Sequence, residues 1–219
     1  MIEVTVKYKE EMAALKKILL IVTVFVSSFS IGQTAEDYLK KGNEKIRARA
    51  YTEAVEFYSK AISLKSDFKQ AYKNRGISYS LSGDHEKAIA DYDKAISLSA
   101  KDYSLYSYRG MAKFEFANGN EGKLKEALPD LEKAMELKPD FIEGHLNLSK
   151  VHTSLKNHEL AISEATKAIS KDKEYGKAYY DRGIAYKNND ELIMACIDWK
   201  RAKGKGFAMA DQALTSFCE

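Results

Sequence analysis

The chain has 219 residues, of which 45% are hydrophobic and 31% charged, enough apolar material for a sizeable buried core. Only 2 prolines interrupt it, which favours helices over long disordered tracts. The 35 Lys and Arg against 32 Asp and Glu leave a net charge of +3 spread along the sequence, which excludes the concentrated basic footprint of a nucleic-acid binder.

The first predicted element is a signal peptide over residues 1–32. Lys16 and Lys17 precede an apolar run from Ile18 to Val26, and Ser30 and Gly32 put small side chains where signal peptidase needs them, so cleavage is expected between Gly32 and Gln33. The 9 residues of that run, or 14 if it is stretched to Ile31, fall short of the roughly 20 that span a bilayer. The mature chain is therefore expected to carry no stable membrane span, and to be exported to the periplasm or secreted. Gln33 and not a cysteine stands immediately after the cleavage point, which argues against a lipid anchor. Glu3, Glu10 and Glu11 dilute the positive end, so starts at Met1 and at Met12 both stand open. A buried helix over residues 13–31 is the competing reading of the segment.

From Ala35 the sequence repeats itself. Gly42, Gly76 and Gly110 are 34 residues apart, as are Ser149 and Gly183, while Gly110 to Ser149 is 39, which marks a five-residue insertion. The alanines keep the same beat: Ala54, Ala88, Ala127, Ala161 and Ala195, then Ala61, Ala95, Ala134, Ala168 and Ala202. Five units are expected, at 35–68, 69–102, 103–141, 142–175 and 176–206. Each would be two antiparallel helices that can bury their apolar stripes only against the next unit. In the second unit Ile77, Leu81, Ala88, Ile89, Ala95, Ile96 and Leu98 recur at helical spacing, and Ser82 to Asp84 supplies a turn and a cap. Pro129, which has no amide proton, predicts that the second helix of the third unit starts late or kinks. Ser149 and Ala165 make the fourth unit degenerate and predict looser packing there. A last helix over 207–217, within a closing segment 207–219, is expected to cover the end of the stack.

Tyr38, Tyr72, Tyr106 and Tyr179, with His145 in the fourth unit, occupy one aromatic place of the repeat. Tyr79 and Tyr186 occupy a second, and Tyr58, Tyr92 and Trp199 a third. With the glycines and alanines this pattern resembles the tetratricopeptide repeat, in its exported bacterial form, and segments 72–79 and 179–186 are near copies of one another. Arg75 and Arg182 stand where that family has leucine. The resemblance implies an all-α, right-handed α-solenoid of five helix-turn-helix units plus a capping helix. The tyrosines would fill the space between hairpins and keep their hydroxyls at the surface. It further implies a protein–protein interaction scaffold, without enzyme activity or cofactor, that binds a peptide or partner protein in envelope or secreted complexes. A structural component that self-associates, with no dedicated peptide site, is the alternative.

In this family the first helix of each hairpin lines the concave face. That places Asn43, Lys73, Asn74, Ile77, Ser107, Tyr108, Met111 and Phe114 among the candidate contacts, followed by Asn147, Lys150, Lys177, Tyr180, Asp181 and Ile184. Asn43 and Asn74 match two places of the clamp with which chaperone-binding members hold a terminal carboxylate. Leu39, Ser104 and Tyr108 stand where that clamp needs cations, which argues against such a ligand. His145, His152 and His158 invite a metal reading, but two of them fall on packing positions and His158, like His85, at the start of a second helix, so no metal site is expected. No phosphate loop, nucleophile elbow or catalytic carboxylate pair is visible. Cys196 and Cys218 predict a disulfide between the last two helices, with two unpaired thiols as the competing reading.

Overall fold

The computed structural model describes residues 33–218, so the predicted signal peptide lies outside the described residues. Thr34 opens the first helix: its hydroxyl accepts from the Asp37 amide at 3.1 Å, and the Asp37 carboxylate accepts from the Thr34 amide at 2.9 Å. Helix α1 (Ala35–Arg47) then turns into α2 (Tyr51–Leu64). Gly83, at φ 86°, reverses the chain between α3 (Lys69–Leu81) and α4 (His85–Leu98), and the Asp84 carboxylate caps α4 at the Lys87 amide. Next come α5 (Tyr103–Phe116), α6 (Glu121–Lys125), α7 (Leu128–Leu137), α8 (Ile142–Ser154) and α9 (His158–Lys171). The series closes with α10 (Gly176–Asn188), α11 (Leu192–Gly204) and α12 (Met209–Phe217). Consecutive helices pack on one another except the short α6 and α7, which both pack on α5, and no strand occurs among the described residues.

The third unit carries out the expectation from Pro129. Its second helix is split into α6, capped by Asn120, and α7, where Pro129 sits in the first turn and its missing amide proton is no loss. The inserted turn runs through Asn118 and Gly119 in the left-handed region, at φ 44° and 80°.

Each hairpin closes on a small residue facing a large one. A Cβ on Gly42 would fall 2.7 Å from Cδ1 of Tyr58, and one on Gly183 would fall 2.7 Å from Cδ1 of Trp199. Tyr58 and Trp199 are completely buried as a result. The fourth unit reverses the trade. Ser149 takes the glycine place and Ala165 the aromatic one, both are buried, and the Ser149 hydroxyl donates to the Ala161 carbonyl at 2.8 Å. At this spot the predicted looseness is absent, because a larger residue on α8 is matched by a smaller one on α9.

The hydroxyls of Tyr58 and Tyr92 do not reach the surface as expected. Tyr58 donates to Asn43 Oδ1 at 2.8 Å and the Tyr92 hydroxyl lies 3.5 Å from that of Ser80. Both rings lie so deep that only a neighbouring side chain can satisfy the oxygen. Burial pushes the Tyr58 phenol up to about 12.

One repeating network escaped the sequence reading. Arg75 forks onto the Asp91 carboxylate at 2.8 and 2.7 Å and also donates to Ser59 of the preceding unit at 3.0 Å. Arg182 does the same to Asp198, at 2.6 and 2.9 Å, and to Thr166. Arg109 pairs with Asp130 and Asp93. Each guanidinium thus ties the two helices of its own hairpin to the second helix of the previous one; Arg75 and Arg182 each lie between two tyrosines, Tyr72 and Tyr79 or Tyr179 and Tyr186, and Arg109 beside Tyr106 alone. The fourth unit has Leu148 in the arginine place, and there His145 Nδ1 meets Glu164 at 2.7 Å instead.

At the end of the stack α12 lays Ala210, Ala213 and Leu214 on the last hairpin, and Cys196 and Cys218 are joined, with Cα atoms 5.9 Å apart. Among the described residues no helix is long and apolar enough to cross a membrane.

Candidate functional site: the inner wall of the stack

Helices α1, α3, α5, α8 and α10 lie side by side and carry all fourteen predicted contact residues. The structure sorts most of those residues into an N-terminal polar ladder and two hollows.

The ladder is Asn43 and Asn74. Asn74 donates to Asn43 Oδ1 at 2.7 Å and accepts from Gln70 at 2.8 Å, so both amides are spent partly on each other. Lys73 crosses to α5, donating to Ser104 Oγ at 3.2 Å above the Tyr108 ring.

The smaller hollow, 220 Å³, opens between α3 and α5. Ile77, Tyr108 and Met111 line it together with Leu81, His85 and Tyr92. Tyr108 stacks on Tyr92 with ring centroids 5.8 Å apart, which leaves one edge of an exposed aromatic presented to solvent.

The larger hollow, 540 Å³, lies between α5, α8 and α10 and is closed at its far end by Phe207 and Met209. Seven of the fourteen predicted residues line it: Met111, Asn147, Lys150, Lys177, Tyr180, Asp181 and Ile184. Met111 belongs to both hollows, so the wall is continuous. Its floor is apolar, with Leu146 beneath and Tyr180 tilted against Phe207 at 5.0 Å between ring centroids. Its polar groups come in neutralised pairs. Lys177 donates to Asp181 at 2.8 Å, and Lys150 to Glu115 at 2.8 Å. Burial holds the Asp181 carboxyl above its ordinary range despite Lys177 and Lys150. Asn147 donates to Ser107 at 3.2 Å through its side-chain amide nitrogen.

Two predicted residues fall outside the hollow's open surface. Ser107 is buried and acts from behind by accepting the Asn147 amide. Phe114 is covered by Lys150, whose Nζ lies 4.6 Å from the ring centroid. Phe207 and Met209 were not foreseen as contacts. They follow the last repeat, and no periodic signal marks a residue that reaches the wall by chain reversal.

The histidines divide as packing groups. His145 is buried against Glu164, while His152 has no partner for Nδ1, and burial lowers its affinity for a proton against the pull of Glu164 and Glu132. A depressed histidine is neutral in the fold while the unfolded chain takes up the proton first. Stability is therefore complete above the ordinary histidine range, about pH 6.5, and falls as pH drops through it. The expected slope is well below the roughly 1.4 kcal/mol per pH unit of a full proton, since His152 is only part-buried. His152→Tyr, which restores the aromatic of Tyr79 and Tyr186, should flatten the melting temperature between about pH 7.5 and 5.5. Among the described residues no three His, Cys, Asp or Glu side chains converge to hold a metal ion.

Comparison with known proteins follows this geometry. Models of the tetratricopeptide repeat match residues 35–68 and 117–141, and 70–102. The chain is 32% identical over 105 residues to a small glutamine-rich tetratricopeptide repeat-containing protein 2 of Mycosarcoma maydis, covering 48% of this chain and 28% of that protein. It is 28% identical over 116 residues to the human DnaJ homolog subfamily C member 3, covering 53% of this chain and 22% of that protein. The chain thus spans about a quarter of the length of these relatives. Among solved structures it is similar to MamA, at 22% identity and TM-score 0.66 over 86% of this chain and 98% of that one. It is also similar to YrrB, described as a TPR protein with an unusual peptide-binding site, at 20% identity and TM-score 0.62 over 87% and 97%. Repeat matches, helix pairing and the fold of these neighbours agree: the described residues form an all-helical solenoid in which residues 35–68, 70–102 and 117–141 are tetratricopeptide repeats.

Proposed function

We propose that the protein is a scaffold that holds a partner's extended segment or helix in the larger hollow of its inner wall, in an envelope or secreted complex. The observation that carries this reading is the convergence of seven predicted contact residues on one 540 Å³ hollow with an apolar floor and neutralised charges. Such a lining suits apolar side chains anchored beside Tyr180, Ile184 and Met111, with the Asn147 carbonyl accepting a backbone amide. Tetratricopeptide proteins are in general protein–protein interaction scaffolds, and relatives named as DnaJ homologs and an HSC co-chaperone are of the same non-catalytic kind. The exported setting is supported by the apolar run after Lys16 and Lys17 and by the disulfide, a bond that persists in oxidising compartments. N-terminal sequencing of the mature protein tests it, with Gln33 as the expected first residue.

The groove is tested by the double variant Asn147→Ala/Tyr180→Ala. A partner identified by affinity capture from the envelope fraction should bind it at least roughly tenfold more weakly, with the helical signal unchanged. Equal binding would remove the larger hollow from the reading. The pair Asn74 and Tyr108, at the ladder and the smaller hollow, is expected to have the lesser effect, because Asn74 is already engaged with Asn43 and Gln70. Self-association is the second reading, favoured by the outward face of α11, where Ile193 is 79% exposed beside Met194 and Ile197. Sedimentation that changes with concentration would support it.

A further inference from the structure

The cap helix α12 is joined to the stack differently at its two ends, with an exposed Lys203–Asp211 ion pair at 2.6 Å and the Lys187 ammonium 4.2 Å from the Phe217 ring centroid besides. At its start the chain passes through Gly204 and Gly206, neither of which has any atom within 4 Å of where a Cβ would stand, and Gly206 takes the left-handed φ of 76°. At its end it is fastened covalently through Cys218 to Cys196 on α11. Between these points the helix has 9 residues, no side-chain cap, and three small buried side chains, Ala210, Ala213 and Leu214. Helices this short are marginal without tertiary support, so the covalent tie carries much of the ordering. Both cysteines are part-exposed and open to a thiol reagent.

Two neighbours make the position of the cap consequential. Phe207 and Met209, at its beginning, close the larger hollow. Phe217, at its end, covers Trp199 with ring centroids 5.7 Å apart. We infer that the Cys196–Cys218 bond is a redox latch: its reduction releases α12 on the glycine connection, uncovers Trp199 and removes the far wall of the hollow. The step is thiol–disulfide exchange with a dithiol. A thiolate of the reductant attacks one sulfur and the S–S bond breaks, giving a mixed disulfide that the second thiolate resolves. The reductant gives up two electrons and ends as its own disulfide, while Cys196 and Cys218 each end as a thiol. Release of the cap is a property of the chain alone, whereas its effect on binding rests on the groove reading above.

Trp199 is the only tryptophan, so the latch can be read without a partner. The full chain is compared before and after treatment with dithiothreitol by tryptophan emission, acrylamide quenching and amide hydrogen exchange. Reduction should shift the emission to the red, raise quenching several-fold, and lower protection of residues 209–217 by roughly a hundredfold while α3 and α4 keep theirs. Cys196→Ser/Cys218→Ser should show the reduced signature with or without the reagent. Reduced protein that keeps the oxidised emission, quenching and α12 protection would overturn the latch. Since these readouts need no partner, failure of the groove reading would appear separately, as unchanged capture by Asn147→Ala/Tyr180→Ala.

Discussion

Gly183→Ala should destabilise the last two hairpins by about 2–3 kcal/mol, although the same change at an open helical position stabilises by up to about 1 kcal/mol. The sign inverts because of Trp199. The added Cβ would fall 2.7 Å from Cδ1 of its ring and nearer still to Nε1, and the ring is fully buried, with its indole nitrogen donating to the Tyr180 carbonyl at 3.2 Å. The ring cannot turn aside without losing that bond and pressing into Ala195 and Leu214, so α10 and α11 must separate. Gly204→Ala is the control, since nothing stands within 4 Å of its would-be Cβ. Denaturation followed by Trp199 fluorescence should lower the midpoint for Gly183→Ala and leave or raise it for Gly204→Ala. Equal behaviour of the two variants would refute the close-approach account.

Arg75→Leu is expected to cost about 3–5 kcal/mol, and the double variant Arg75→Leu/Asp91→Leu to return to within about 1–2 kcal/mol of the parent. The single change strands a carboxylate whose side chain is 7% exposed, because among the described residues Asp91 is hydrogen-bonded by the Arg75 fork alone. Removing both charges leaves an apolar contact of similar volume, the one implied by the family's leucine at that place. Burial holds the Asp91 carboxyl above its ordinary range even with Arg75 beside it. The carboxyl of the unfolded chain therefore ionises at lower pH than that of the fold. The contribution of this carboxyl falls as pH rises through that interval, while the same fork strengthens the hold of Arg75 on its proton. What the fork does supply is registration of α3 against α4 and α2, since each nitrogen has a fixed acceptor. Chemical denaturation of the two variants, with hydrogen exchange to localise the loss to the first two units, gives the cycle. A double variant as unstable as the single one would show that the pair itself stabilises.

The repeat, the helix pairs and the disulfide were legible in the sequence because each leaves a mark at fixed spacing. Alanines and glycines recur every 34 residues where backbones approach, turn residues fall between the apolar stripes, and two cysteines near one end of the chain invite pairing. The arginine network was half legible. Arg75 to Asp91 and Arg182 to Asp198 share a step of 16 residues, but the insertion lengthens Arg109 to Asp130 to 21 and hides the third copy.

By itself the sequence determined the fold class and the repeat, because periodicity along the chain is a local property of each helix, whereas the inner-wall contacts were implied by the resemblance to the tetratricopeptide family. Only the tertiary structure decided that Ser149 and Ala165 compensate one another, that Tyr58 and Tyr92 bury their hydroxyls, and that half of the predicted contacts gather in one hollow completed by Phe207 and Met209. Those outcomes depend on distances between residues remote in the chain. They are set by how each hairpin stacks on the last, which no single repeat encodes.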